Sequence, residues 1–422
     1  MKITVLGAGV IGVTSAWYLQ RAGHEVTVVE RESGPALQTS YANAGQVSWG
    51  YATPWAAPGV LGKVLRWQFD RNAPLRMHWR NDPAMWRFMF GMLANATPAR
   101  YALNKACLLR LGRYSHQALV ALREETGLRY ESGQGGLLEL FRSEAQMAHL
   151  DHDLELLADN GIPARRLSVE ECLSVEPGLA GSRHLLAGGL HFPGDETGNC
   201  RVFTLRLAEL AAQNGVDFRY GVAVSRIRAE AGRVTGLDTD HGPLATDAYV
   251  VAAGSYTPAL LAPLGIELPV YPVKGYSLTA PLRDPERGPR SALMDEARKV
   301  AITRLGDRLR VAGMAELTGF DRSVQARYYR SIERAVRDWF PDAVDYAQAE
   351  WWSGLRPMTP DGPPVIGATA YPNLYLNNGQ GTLGWTLSCG SARLLADIIS
   401  AREPEIDPTG LSLTRYARGR NN

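Results

Sequence analysis

Residues 2–31 read KITVLGAGVIGVTSAWYLQRAGHEVTVVER: an alternating apolar run, a cluster of glycines, an apolar helical face closed by Gly23, and a second apolar run ending on an acid. The change of period from two to 3.6 and back predicts strand, helix, strand, a βαβ unit at the start of the chain. Gly7, Gly9 and Gly12 sit at the first junction in the spacing GxGxxG, and Glu30 ends the second strand about 20 residues further on. Gly7 permits the tight turn, Gly9 lets backbone approach a pyrophosphate, Gly12 lets helix and strand pack, and the helix N-terminus favours phosphate charge. Ala8, Val10 and Ile11, interleaved with these glycines, and Arg31, beside Glu30, join them as candidate dinucleotide contacts. Glycines kept for a turn alone would leave the acid and the βαβ frame as coincidences. Glu30 would accept two ribose hydroxyls and repel a 2′-phosphate, so the fingerprint leaves FAD and NAD open.

The rest of the chain sets broad bounds. At 422 residues with 45% apolar and 21% charged residues, two domains are expected of a globular protein. Lys and Arg total 45 against 43 acids, a formal charge of +2 that gives no electrostatic reason to expect nucleic acid. Cys107, Cys172, Cys200 and Cys389 are isolated, which fits buried reduced thiols in a cytoplasmic protein better than disulfides or zinc. The N-terminus runs into the glycine loop without a cleavage site, and no window reaches the ~20 apolar residues of a spanning helix. The histidines, including His149, His152 and His191, lack HExxH or carboxylate companions, so no metal is expected. Neither a GxSxG elbow nor a P-loop lysine occurs.

Past the midpoint, CRVFTLRLAELAAQNG predicts a helix, VDFRYG, VAVSRIRAE and RVTGLDTD short strands, and AYVVAAG a central strand. Between 272 and 315 the pieces PVKGYSLTA, KVAITRLG and RLRVAGMAE predict an antiparallel sheet, followed by a helix in SVQARYYRSIERAVRDWF. NLYLNNGQGTLGWTLSCGSARLLADIIS then returns to a strand, a glycine-rich loop and a helix N-terminus suited to a ligand. The expected class is α/β: a discontinuous Rossmann-like cofactor domain of residues 1–48, 195–271 and 350–422, and an α+β substrate domain of residues 49–194 and 272–349 with an antiparallel sheet.

Within WWSGLRPMTPDG, Trp351–Gly362, one arginine stands in an otherwise apolar strand and turn. A buried guanidinium is costly unless a carboxylate meets it, and its planar fork matches a carboxylate through two parallel hydrogen bonds. Asp361 is the internal candidate. The stronger reading is that Arg356 waits for a carboxylate that arrives with the substrate.

Five segments, TSYANAGQVSWGYATPWAAPG (39–59), VVAAGSYTP (250–258), PVKGYSLT (272–279), SGLRPMTPDGPPVIG (353–367) and NGQGTLGWTLSCGS (378–391), resemble the D-amino acid dehydrogenase small subunit family. That family belongs to the FAD-dependent amine oxidoreductases that include D-amino acid oxidase and glycine oxidase, and the match runs from Met1 to about Arg418. The resemblance implies FAD as cofactor, with the antiparallel sheet over the flavin ring. It also implies contacts from Ser40, Ala42, Asn43, Ala44, Gly45 and Gln46 to pyrophosphate and flavin, and from Val224 to adenine. Ala253, Gly254 and Gly354 belong to the matching segments as cofactor contacts. Gly379, Gly381, Thr382, Leu383, Gly384, Trp385 and Thr386 would form the loop at the pyrimidine edge, where amides stabilise charge near N1.

The same resemblance makes Arg356 the holder of the amino acid carboxylate, with Tyr276 a candidate second donor and Tyr51, Tyr256 and Gln380 lining the pocket. Where Gln380 stands, members of the family often carry histidine; glutamine cannot titrate, so no acid or base role is expected of it. The implied reaction is transfer of the α-hydrogen of a D-amino acid to flavin N5 as hydride, then hydrolysis of the imino acid to a 2-oxo acid and ammonia. Glycine, sarcosine and D-proline or its hydroxylated form remain alternative substrates, and a non-catalytic FAD-binding subunit an alternative role.

The implied electron acceptor is a quinone or a dye rather than oxygen. Trp49, Trp55, Trp67, Trp79 and Trp86 crowd residues 49–93 with interleaved Arg and Lys. That pattern fits a lid and core of the substrate domain, or a surface lying against anionic lipid at the inner face of the cell membrane.

Overall fold

Strands Lys2–Leu6 and Glu25–Glu30 pair in parallel around helix Val10–Arg21, as the alternation requires, in a computed structural model that describes residues 1–60, 62, 73–78, 81–148 and 150–417. Segments distant in sequence complete their sheet. The order is Val365–Ala368, Leu374–Asn378, Ala248–Val251, Lys2–Leu6, Glu25–Glu30, Asp217–Tyr220, parallel throughout except for the first pair. Ala248–Val251 is fully buried between two neighbours, which explains its unbroken apolar run. Helices Val10–Arg21, Cys200–Gln213, Gly384–Ile399 and Pro98–Thr126 pack together in the core against one face of this sheet. The Rossmann-like half is therefore assembled from separated pieces, as expected.

The second sheet is larger than the sequence indicated. Its nine strands run Glu350–Met358, Tyr271–Pro281, Arg308–Leu317, Val300–Leu305, Ala292–Asp295, Leu137–Phe141, Gly188–Phe192, Arg165–Leu167, with Leu75–Met77 added beside Arg308–Leu317. Glu350–Met358, grouped above with the cofactor domain, is instead hydrogen bonded along Tyr271–Pro281 from Glu350 opposite Thr279 to Met358 opposite Tyr271. An apolar run ending in TPDG carries no mark of which sheet it joins; the backbone pairing decides. The carbonyl of Leu355 nevertheless ties this strand to the nucleotide half, accepting from Thr39 Oγ1 at 2.8 Å and Ser255 Oγ at 3.2 Å.

Strand alternation sorts the side chains of this sheet. Tyr276, Leu278 and Ala280 enter the core beneath helix Ala326–Trp339, with Tyr328, Ile332 and Trp339. Ser277 points the other way, where its hydroxyl donates to the Ala42 carbonyl at 2.7 Å. Gly275 and Arg356 are on Ser277's face, opposite the helix.

The four cysteines are all buried and unpaired. Trp49 is buried and stacked on His116, while Trp55 and Trp86 are half-buried beside Met85 and Phe88. Trp67, Trp79 and His149 lie outside the described residues. Among the described residues no helix is long and apolar enough to cross a membrane, and no cluster of His, Cys, Asp or Glu could hold a metal.

Glu196 fastens helix Pro98–Thr126 to the short pair Gln46–Val47 and Glu196–Thr197, accepting from Arg123 Nη1 at 2.7 Å and lying 3.1 Å from His116 Nε2. Burial opposes its charge, but the hydrogen bonds from His116 and Arg123 outweigh it and hold the carboxyl at about 2. A folded value below the unfolded carboxylate range gives stability that is present at neutral pH and lost as pH falls from ~4 toward 2. Glu196→Gln is therefore expected to destabilise the protein by about 1–3 kcal/mol at pH 7. In urea unfolding at a series of pH values, the gap to wild type should close below pH ~4.

Candidate functional site

One cavity of about 880 Å³ runs between the two sheets, lined at one end by Gly7, Gly9 and Glu30 and further along by Arg356. At the first end lie the three glycines of the GxGxxG spacing. Gly7 has φ +104°, and a Cβ there would lie 2.8 Å from the Ala252 carbonyl oxygen. A Cβ on Gly12 would come within 1.8 Å of the Gly7 oxygen, whereas one on Gly9 would meet only Ser40 Oγ, at 3.4 Å. Gly12 thus closes helix on turn, and Gly9 leaves backbone open to the cavity. Glu30 accepts from the Ala8 amide at 2.7 Å and the Glu32 amide at 3.0 Å, which orients the carboxylate and leaves further lone pairs for hydroxyls. Ser40 Oγ accepts from the Val10 amide at 3.0 Å. Ile11, Val224, Ala253 and Gly254 line the same region.

Tyr256, expected at the substrate end, is placed here instead. The Arg31 guanidinium lies 3.8 Å from its ring centroid. Tyr256 follows the strand that neighbours Lys2–Leu6, so it emerges at the edge of the parallel sheet where the Gly7 turn also lies.

Residues 40–46 form a strap between the sheets. Besides the bond from Ser277 to Ala42, the Asn43 carbonyl accepts from Arg310 Nη1 at 2.9 Å, Gly45 turns at φ +72°, and Gln46 Nε2 donates to the Leu293 carbonyl at 3.1 Å. Ala44 lines the cavity with them. Facing the strap, the loop after Asn378 uses left-handed backbone at Gly379 and Gly381, then opens helix Gly384–Ile399. Thr382, Leu383, Gly384, Trp385 and Thr386 border the cavity, and Thr386 Oγ1 accepts from the Ser48 amide at 3.1 Å. Gln380 also borders it, but its Nε2 donates to Asn377 Oδ1 at 2.6 Å. Asn378 Oδ1 and Ser48 Oγ are buried without a protein partner in residues that line the cavity. Unpaired buried polar atoms beside an open glycine cradle fit a polar dinucleotide cofactor that supplies their missing partners.

Arg356 answers the question its sequence raised. Asp361 is taken by Arg415, 2.7 Å from its Nε, and by Tyr416. Among the described residues no carboxylate pairs with Arg356, whose Nη1 donates only to the Met314 carbonyl, at 3.1 Å. Burial lowers its pKa to about 10, so it is still a cation at neutral pH. Two features that sequence reading missed make room for it. A Cβ on Gly275 would fall 2.0 Å from Arg356 Nη1, so only glycine admits the guanidinium. Met314, a non-glycine residue at φ +59°, turns its carbonyl to meet it. The glycine inside KGYSL was a legible signal, since glycine within a strand marks a close approach.

Tyr276 borders the cavity, but its hydroxyl, named above as a second donor, is engaged within the protein. Its hydroxyl donates to the buried Glu316 on the helix-covered side of the sheet, and burial together with that bond pushes its pKa well up. The parity of the strand is the reason: Tyr276 and Ser277 face opposite ways. Tyr51 lines the cavity beside Phe192, with its ring edge-on at 6.0 Å.

The family described as FAD dependent oxidoreductase matches residues 2–398. The chain belongs to that family. A D-amino acid dehydrogenase of Allorhizobium ampelinum is 57% identical over 420 residues, covering 100% of both chains. One from Chromohalobacter salexigens is 53% identical over 418 residues, covering 99% of this chain and 100% of its own. Among solved structures, glycine oxidase from Geobacillus kaustophilus superposes with a TM-score of 0.76 at 25% identity, covering 98% of each chain. L-proline dehydrogenase from P. horikoshii shares the fold, with a TM-score of 0.73 at 18% identity, covering 98% of this chain and 96% of its own. The cofactor of this chain is FAD, and the glycine turn, Glu30, the strap and the C-terminal loop border one cavity.

Two outcomes are expected. Glu30→Ala should weaken FAD retention on gel filtration, with turnover restored by excess FAD. Gly275→Ala should displace the Arg356 side chain, raising KM for substrate at least tenfold while the bound-flavin spectrum persists.

Proposed function

We propose that this FAD-dependent oxidoreductase oxidises D-amino acids to 2-oxo acids and ammonia. The observation that carries the reading is a cavity-facing guanidinium with no carboxylate partner among the described residues, in a chain whose full-length relatives are D-amino acid dehydrogenases. Arg356 binds the substrate carboxylate through its fork, and Met314 fixes the fork's direction. FAD, when bound, accepts the α-hydrogen as hydride. The strap and the Gly379–Thr386 loop exclude bulk water from the reacting carbon, and hydrolysis of the released imino acid completes the deamination.

Residues 1–48, 195–271 and 359–422 hold the cofactor in this reading, and the large sheet with its helices holds the substrate. The electron acceptor is a quinone, reached by peripheral contact with a membrane. Three exposed apolar side chains support that contact: Phe90 at 64% and Leu93 at 38%, from helix Pro83–Asn95, and Leu103 at 67%, from the start of helix Pro98–Thr126. Such side chains suit insertion at a lipid interface.

Anaerobic mixing with a panel of D- and L-amino acids tests the reaction: D-isomers should bleach the oxidised-flavin band, and a panel without effect would refute it. Arg356→Lys and Arg356→Ala are expected to lose about 2 to 5 kcal/mol in kcat/KM for D-alanine while retaining flavin. Normal kcat/KM in either variant would remove Arg356 from the mechanism.

A further inference from the structure

Away from Arg356 the same cavity extends over the large sheet as a further chamber. Its floor is a row of register neighbours across four strands of the large sheet, Ala312, Ala301, Met294 and Glu139. The Arg356 guanidinium lies over Gly275, and Glu139 is on a strand four places further across. At about 4.8 Å per strand the separation is roughly 19 Å, farther than an amino acid held by its carboxylate extends. The chamber is therefore not the substrate's side-chain pocket.

Its chemistry is unlike that of the clamp. Glu139 is 6% exposed, and among the described residues no basic group lies within ion-pair distance of it. Glu296, which pairs with Lys299, is its neighbour in the chamber. Burial, then the neighbouring Glu296 carboxylate, hold Glu139 well above the usual carboxylate range, toward its protonated form. Lys105, 4% exposed, also lines the chamber, with its Nζ 3.8 Å from Asp153. The walls between are apolar, from Leu157, Leu190 and Phe192. Met92 and Tyr101 line the cavity from helices Pro83–Asn95 and Pro98–Thr126, the helices that expose Phe90, Leu93 and Leu103.

We propose that this chamber binds the electron acceptor, a quinone whose apolar tail leaves past Met92 and Tyr101, and that Glu139 is its proton donor. The inference rests on the quinone reading above and adds the site. The quinone gains two electrons and two protons to become a quinol. Both electrons and one proton come from the reduced cofactor; the second proton comes from the Glu139 carboxyl, which is restored from solvent. Apolar walls suit the ring and tail, and a buried neutral carboxyl supplies the proton where water is scarce.

The test uses holoenzyme reduced anaerobically with D-alanine, then mixed with a ubiquinone carrying one isoprene unit or with ferricenium, which takes single electrons and no proton. In Glu139→Gln, reduction by D-alanine and reoxidation by ferricenium should stay within twofold of wild type while reoxidation by the quinone slows at least tenfold. Met92→Trp, which narrows the mouth, should raise the Kd of the same quinone for oxidised holoenzyme at least fivefold by equilibrium dialysis, with Glu139→Gln near the wild-type value. Unchanged quinone rate and Kd in both variants, or a loss of D-alanine reduction in Glu139→Gln, would overturn the chamber. Wild-type enzyme that no quinone reoxidises would refute the acceptor reading itself, and the chamber with it.

Discussion

A half-buried guanidinium with no carboxylate partner among the described residues is the constraint around which this end of the cavity is built. Removing such a charge from water is costly, and a single carbonyl acceptor offsets only part of that cost. The surrounding residues accept local penalties to keep it in place. Gly275 gives up a side chain in mid-strand, and Met314 adopts a left-handed backbone that costs about 1–3 kcal/mol for a non-glycine residue. The pairing of the two strands shifts register between Lys274 and Tyr276, beside these departures.

What holds that irregular backbone lies on the other side of the sheet. Glu316, two residues beyond Met314, is buried with Lys274 Nζ at 3.0 Å and His78 Nε2 at 2.9 Å, and accepts from Tyr276. Burial would raise its carboxyl, but the hydrogen bonds from Tyr276, Lys274, Tyr328 and His78 prevail and keep it below the ordinary range. A buried charge this fully hydrogen bonded resists displacement, because losing one partner leaves the others uncompensated. The two faces thus divide the work: polar partners are saturated beneath helix Ala326–Trp339 and left unsaturated toward the cavity.

The nucleotide end follows the opposite logic, with everything fixed by close backbone contact. The contacts that a Cβ on Gly7 or Gly12 would make are too short for any side chain, and Glu30 is oriented by two amides before any ribose is present. The strap 40–46 joins the two ends, since Ser40 caps the first helix while Ala42, Asn43 and Gln46 bond to the large sheet. Motion of either sheet relative to the other would have to break that strap.

Local pattern alone determined the βαβ unit, the glycine turn and its acid, the central strand 248–251, and the presence of a lone arginine in an apolar strand, because each depends on neighbours within a few residues or on one period. Resemblance added the family and the cofactor. Tertiary structure decided which sheet Glu350–Met358 joins, that the Tyr276 hydroxyl is taken by Glu316, that Tyr256 sits on Arg31, and that Asp361 is taken by Arg415. It also brought Gly275, Met314 and Glu139 to the cavity wall from three different strands. For the strand residues the physical reason is shared: side-chain direction in a sheet alternates with a period of two, so a one-residue difference in register reverses a face, and register is set by partners far along the chain.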